Sequence, residues 1–467
     1  MLEGLEAVEL NFSELEKGLR MDSELYKRDL VRFERKIKKI NHTKLGDEVK
    51  LIKKGIFDIK SSCYTEEGIP FVRISNLKNC LIDTEGIIFI PENENEKNRN
   101  TFLVKNDIVL SKTANAAASL VNIPSCNVSQ DTVAIKLKNN SKLNSHFTVI
   151  YLNTKYGLKQ MQRWFTGNIQ MHLNLEDCKN NLQIPVYSLN FQEIIKTMFN
   201  DSIENRRTSQ IAYTSAETCL LETLSLNNFE PSTDGVNVKS FKESFLATGR
   251  LDAEYYQKKF DILEKAIRSQ KHKTIKEIRT DNYRGMQPIY VENGDLDIIN
   301  SKHILEDSLD YDGFEKTSSN YWDIQSRARV YKGDILTYTT GANIGRTQVY
   351  QSEKKALASN HVNIIRIKEQ NPVYIGFVLN SLVGRMQTDK FSAGSAQAEL
   401  YPKDLDEFLI PIIENSEQEK IAALVEESFH LKKQSEQLLD TAKRAVEIAI
   451  EQYEEAAMRY IEQAQRD

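Results

Sequence analysis

Two glycines around an asparagine, followed by an arginine, form the grouping that most resembles catalytic machinery: Gly341, Asn343, Gly345 and Arg346 of TTGANIGR, residues 339–346. Backbone amides in such a loop can cradle a phosphate. Asp47, Glu48 and Lys50 after Gly46, or Asp107 beside Lys105, could be strung into a nuclease-like set of carboxylates and a lysine. Solvated charges at a strand edge explain those sets more simply.

Other chemistry is excluded motif by motif. NPVY (371–374) resembles an adenine-methylating N-P-P-Y but lacks the second proline and any accompanying cofactor motif. The seven histidines include no pair at metal-ligand spacing, and no H-E-x-x-H occurs. There is no nucleophile elbow, kinase set, P-loop or dinucleotide fingerprint. Five widely spaced cysteines read as reduced, mostly buried thiols of a cytosolic protein.

These residues must be positioned by something larger than one domain. With 467 residues, 40% hydrophobic and 28% charged, the chain has room for two to four packed cores. The formal net charge of -5 argues against nucleic acid only if charge is evenly spread, and it is not. Residues 44–190 carry about +4 and residues 411–467 about -6. The N-terminal stretch has acidic residues throughout, without the basic start and apolar run of a signal peptide, and no apolar run approaches the roughly twenty residues of a membrane span. A soluble, cytoplasmic protein with no membrane association is expected.

The chain is written twice. GLRMDSELY (18–26) recurs as TGRLDAEYY (248–256) at an offset of 230; VKNDIVLS (104–111) recurs as YKGDILTY (331–338) at 227; QIPV (183–186) recurs as LIPI (409–412) at 226. In each copy a short helical segment leads into about 140 residues of short β-like runs, closed by Pro185 or Pro411 and followed by a long helix. From Gln192 and from Gln418 the helices align without a gap, placing Ser202 on Ser428, Ser209 on Ser435 and Ala216 on Ala442. Leu424, Leu431, Leu438 and Ala445 are expected on the second seam position, with Ile195, Met198, Ala212 and Cys219 on the corresponding line of the first copy. Two such stripes can bury each other as an antiparallel pair, and 35 residues span roughly 52 Å.

The expected fold is therefore α+β: two tandem mixed α/β domains, each with a twisted sheet, separated by two long antiparallel coiled-coil-like helices in a pseudo-twofold arrangement. The expected boundaries are 1–43 for an N-terminal helical segment, 44–190 for the first domain, 191–270 for the central helix and linker, 271–411 for the second domain, and 412–467 for the C-terminal helix.

The order of RMDSELY or RLDAEYY, then KGDIL leading into TTGANIGR, then GSAQAEL, IPI and EQEKIA, resembles the specificity subunit of a type I restriction-modification system. The resemblance covers both copies nearly end to end. It implies that each globular region is a target recognition domain reading double-stranded DNA, and that two methyltransferase subunits bind the helices, with restriction subunits as further candidates. It also implies that the chain is not itself an enzyme and holds no cofactor, S-adenosylmethionine being the partner's. Two unlike domains on a spacer would read two unlike half-sites, a bipartite asymmetric target. An enzyme with unrecognised motifs and a helical scaffold that binds protein remain as alternatives.

Candidate DNA contacts are polar loop residues at corresponding positions of the copies. They are Lys112, Thr113 and Asn115 against Thr340, Asn343 and Arg346; Asn168, Gln170 and His172 against Ser395 and Gln397; and Arg73, Ser75 and Asn76 against Asn300, Lys302 and His303. Arg and Lys suit guanine, Asn and Gln adenine. Tyr26, Tyr255 and Tyr256 are expected to pack the recurrent prefix onto the domain or the helices. At the 227 offset Gly341 and Gly345 fall on Ala114 and Ala118, so TTGANIGR reads as a recognition loop and not as a phosphate cradle.

Overall fold

The structure, a computed structural model, describes residues 8–12, 15, 23, 25–78, 80–113, 117–166, 172–232, 235–306, 308–392 and 398–466. It divides into two compact units, Met1–Asn205 with Lys433–Asp467 and Arg206–Lys432. Each unit holds one mixed α/β copy together with part of both long helices.

In the first unit, helix α1 (Arg28–Ile37) buries Leu30, Val31 and Ile37 and packs on α2 (Lys155–Arg163). One sheet orders its strands Val49–Lys54, Thr132–Leu137, Ile108–Ser111, Ala118–Leu120, Leu81–Ile82 and Leu77–Lys78. The other runs Ile88–Ile90, Ile69–Val72, Ser125–Val128 and Leu103–Val104, with Phe71 paired in parallel to Asn127. The central strands IVLS and TVAIKL bury nearly every side chain, which accounts for their continuous β-branched and apolar character. A two-stranded ribbon of three residue pairs, His42 with Pro185 at one end, ties the ends of the domain together.

The second unit repeats the plan. Its sheets run Arg279–Arg284, Val362–Ile367, Ile335–Tyr338, Thr347–Val349 and Glu315–Thr317, Leu296–Ile299, Ala356–Ala358, Arg329–Val330. His272 pairs with Pro411, the counterpart of the first ribbon. Its helices include α4 (Lys258–Arg268) and α5 (Leu382–Ser392).

The recurrent motifs are explained by this scaffold. Asn106 (φ 72°) and Gly333 (φ +90°) take left-handed turns, and the next residue caps each turn: Asp107 accepts the Val104 amide and Asp334 the Tyr331 amide, both at 2.8 Å. Each aspartate is then held by a cation one strand away, Lys136 at 3.2 Å or Arg366 at 2.7 Å. The supposed nuclease sets dissolve likewise. Glu48 is buried and accepts hydrogen bonds from Thr43, Ser141 and the Lys142 amide; burial raises its pKa, but those bonds outweigh it and keep the carboxylate below its usual range. NPVY begins a helix: Asn371 accepts the Val373 and Tyr374 amides, Pro372 is the first helical residue, and buried Tyr374 donates to the Pro411 carbonyl at 2.9 Å.

The prefix residues also pack inward. Tyr255 is buried beneath the Arg250 guanidinium and the Lys390 ammonium, 4.4 and 4.7 Å from its ring centre, with Phe391 edge-on. Tyr26 lies under Arg163, the counterpart of Lys390. Arg163 pairs with Glu34 on α1, and Lys390 with Glu264 on α4, so one buried cation closes each domain. Arg20, Asp22 and Glu24 of the same motif lie outside the described residues.

The long helices, α3 (Leu189–Thr223) and α6 (Asn415–Glu451), run antiparallel within each unit. In the first, Ser435 donates to the Ser202 carbonyl at 2.8 Å; in the second, Ser209 donates to the Ser428 carbonyl at 2.8 Å. Ser202 aligns with Ser428 and Ser209 with Ser435, so the same two positions meet twice with their copies exchanged. The second seam matches expectation only in part: Ile195, Met198, Ala212 and Ala445 are buried, but Cys219, Leu424, Leu431 and Leu438 are only half-buried, and the neighbouring line of Phe199, Leu220, Val425, Leu439 and Val446 is buried. Adjacent lines on a helix differ by 100°, and a broad apolar stripe lets packing choose between them. The leucine line flanks the seam instead, and Leu424 and Leu438 join the domain cores.

Candidate nucleic-acid interface

In each unit hydrogen bonds gather the same distant segments. In the first, the Ser129 amide donates to the Val72 carbonyl (2.9 Å), joining the turn 129–131 to the turn 73–76. The Lys112 amide donates to the Asp131 carbonyl (2.9 Å), and Thr113 bridges to His172. In the second, Ser359 donates to Ile299 (2.9 Å), Thr339 to His361 (3.2 Å), and Thr340 bridges to Glu399. The backbone plan is conserved between copies while the side chains on it change.

The turns after strands Ile69–Val72 and Leu296–Ile299 show which candidates face outward. Asn76 and His303 are buried and lock the turns, accepting the Arg73 amide at 3.0 Å and the Asn300 amide at 2.9 Å. Burial first, then the Lys302 charge, lowers the His303 pKa, which suits a neutral ring acting as acceptor. Ser75 and Lys302 are exposed beside them. Lys302 pairs with Glu315 at 2.6 Å, and Asn300 donates to the same carboxylate. Arg73 and Ser75 line a hollow of about 310 Å³ with Tyr64, Gln130 and Asp131.

Lys112 and Thr113 are half-buried; burial, then repulsion from Lys54, lowers the Lys112 pKa. Thr340 meets His361, Oγ1 to Nδ1 at 3.0 Å. Asn343 and Arg346 turn to a different hollow, of about 280 Å³, alongside Glu306, Arg385 and Asp389. Arg385 pairs with Glu306 at 2.9 Å, and burial raises the Asp389 pKa against the opposing pull of Lys259. Asn115, Asn168, Gln170, Ser395 and Gln397 lie outside the described residues.

The glycines of TTGANIGR serve the turn. Gly341 and Gly345 have φ of +94° and +85°, and a Cβ on Gly345 would come within 2.5 Å of Thr388 Cγ2. The amides of Gly341, Ile344, Gly345 and Arg346 donate within the chain to Ala398, Gly341, Tyr338 and Asn343, so they cannot also cradle a phosphate. The equivalence of Gly345 with Ala118 does not survive. Leu110 pairs with Ala118 but its counterpart Thr337 pairs with Thr347, making the second loop two residues longer.

Sequence reasoning missed Gln130 and Asp131 and their counterparts Asn360 and His361. Each pair lies on a short polar turn between two β-like runs at a constant offset of 230, a signal available in SQDT and SNHV. His361 is exposed and the other three are half-buried. Cys80, Cys126 and Cys178 are buried thiols whose pKa burial pushes up to about 12, so they offer no nucleophile. Among the described residues no cluster has the makings of a metal site, and no helix is long and apolar enough to cross a membrane.

The family model for the type I restriction modification DNA specificity domain matches residues 38–212 and again 257–440. No curated protein matches the chain. Among solved structures, the type I restriction-modification S subunit from M. genitalium is 17% identical over 90% of this chain and 96% of its own, with a TM-score of 0.45. The HsdS subunit from Thermoanaerobacter tengcongensis is 15% identical over 91% and 96%, with a TM-score of 0.28. With two family matches covering well over half its length, the chain belongs to the type I restriction-modification DNA specificity family, in two tandem copies.

Proposed function

We propose that the chain is the noncatalytic recognition subunit of a type I restriction-modification complex and reads a bipartite, asymmetric double-stranded DNA target, one half with each domain. The observation that carries this is the conserved hydrogen-bonded scaffold bearing unlike side chains. Arg73, Ser75, Lys112, Gln130 and Asp131 in one copy answer to Asn300, Lys302, Thr339, Asn360 and His361 in the other. A scaffold that keeps its backbone and varies its polar groups suits readout of base edges. Ser75, Lys302 and His361 are the foremost candidates, with Thr340, Asn343 and Arg346 on the neighbouring loop; Asn76 and His303 are spent on their turns.

The paired helices α3 and α6 would carry two methyltransferase subunits, with restriction subunits as possible further members. Adenine N6 methylation, with S-adenosylmethionine and the extruded base in the partner's pocket, would then be the partner's chemistry. Mapping methylated adenines in cells that carry the system tests the reading. Exchanging residues 44–190 for those of a related chain should change one half of the methylated motif and leave the other. An unchanged motif, or methyl transfer by the pure chain alone, overturns it.

A further inference from the structure

We propose that α1 grips the DNA phosphate backbone and that this grip belongs to the first copy alone. The inference rests on the DNA-reading function above and adds to it a site outside the recognition loops.

Arg28, Arg32, Arg35 and Lys36 recur at steps of four, three and one residues, which places them on one face of the helix, and Lys39 follows in the turn just past its end. The opposite face is anchored by Leu30, Val31 and Ile37. This basic face lines two adjoining hollows, of about 720 and 630 Å³, which share Arg28, Arg32 and Lys36. Of the carboxylates on and beside the helix, Asp29 pairs with Lys159 at 2.8 Å, Glu451 with Lys155 at 2.5 Å, and Glu34 with Arg163 and Lys38, while Glu9 lines the second hollow. Arg35 donates to the Glu9 carbonyl at 3.0 Å, on the rim of the second hollow.

The second copy is an internal control. Helix α4 has the same place and the same buried ion pair, yet the five positions read Lys258, Ile262, Lys265, Ala266 and Ser269. Over thirteen equivalent residues the first copy carries seven cations and two carboxylates (27–39), the second four and two (257–269). The fold therefore does not require the extra positive charge. From Arg28 to Lys39 the stripe is roughly 16 Å long, enough to follow several phosphates of one strand. Guanidinium groups match phosphate oxygens two at a time, and three of the five cations are arginines.

The test uses the full chain, a duplex of about 40 base pairs of arbitrary sequence, and Arg32→Gln/Lys39→Gln, both exposed residues with folding checked by thermal melting. The expected result is a log Kd against log salt slope shallower by about 2, roughly 0.9 per lost phosphate contact. The methylated motif should be unchanged. Wild-type slope in the variant overturns the grip while leaving the recognition loops intact. Loss of methyltransferase co-purification with the slope retained would assign the stripe to an acidic protein surface and also overturn it. Failure of the wild-type chain to bind any duplex would sink the DNA reading itself.

Discussion

The two copies place a buried cation at the same point but choose different residues for it. Arg163 sits with Glu34 and Tyr26 in the first copy, Lys390 with Glu264 and Tyr255 in the second. Neighbouring surfaces diverge further: α1 is a basic stripe where α4 carries Ile262, Ala266 and Ser269. The backbone hydrogen bonds that join the turns 129–131 and 359–361 to their neighbours are meanwhile the same. Duplication thus shows what the fold demands, since only shared features are needed by both copies; what differs is free to serve recognition.

The sharpest test of that comparison is removal of the buried carboxylates. Glu34→Ala leaves an arginine that keeps its charge, and should cost about 3–5 kcal/mol. Glu264→Ala leaves a lysine, whose flexible stem can carry the ammonium towards solvent, so the cost should be smaller, about 1–3 kcal/mol. Equal shifts in urea unfolding would show that the choice of cation is immaterial.

A second difference lies in pH response. His146 is buried against Phe199 and its counterpart at the 227 offset is Val373. Burial, then Lys196, lowers its pKa to about 4, outweighing Asn200 and Glu193. A depressed histidine favours the folded state fully above its ordinary pKa, and that contribution is lost as pH falls from about 6.5 towards 4, because the unfolded chain takes up the proton first. The loss should be of the order of 2–3 kcal/mol. His146→Val, which copies the second domain, should flatten stability over this range; a wild-type pH profile in the variant would exclude His146 as its source.

The smallest effects test the likeness. Ser209→Ala and Ser435→Ala each remove one buried hydroxyl from equivalent exchanged contacts. Each should cost about 1 kcal/mol, and melting should find the two equal to within roughly 0.5 kcal/mol. A clear inequality would show that the two serine contacts are not energetically alike.

Much of this architecture was legible because it repeats. The offsets predicted two domains and two long helices, and the serine register predicted which helix face is shared. The match of K-N-D with K-G-D was visible in the sequence, but the aspartate-capped, left-handed turn at Asn106 and Gly333 came only from the structure. The line of leucines was misplaced by one position because apolar content alone does not say which of two neighbouring lines meets the partner helix. The match of Gly345 to Ala118 failed because a constant offset cannot reveal two residues added inside a loop.

By itself, then, the amino-acid order determined the tandem copies, their strand-rich regions and which known catalytic motifs do not occur, all of which depend on local pattern and on comparison of one half with the other. Only the tertiary structure decided that Asn76 and His303 face inward, that the turns holding Gln130, Asp131, Asn360 and His361 are hydrogen-bonded to the candidate contact segments, and that the amides of Gly341, Ile344, Gly345 and Arg346 are already used. The reason is physical: Phe71 pairs with Asn127 and Ile298 with Leu357 in parallel strands more than fifty residues apart, and such non-local pairing leaves no local periodic signal.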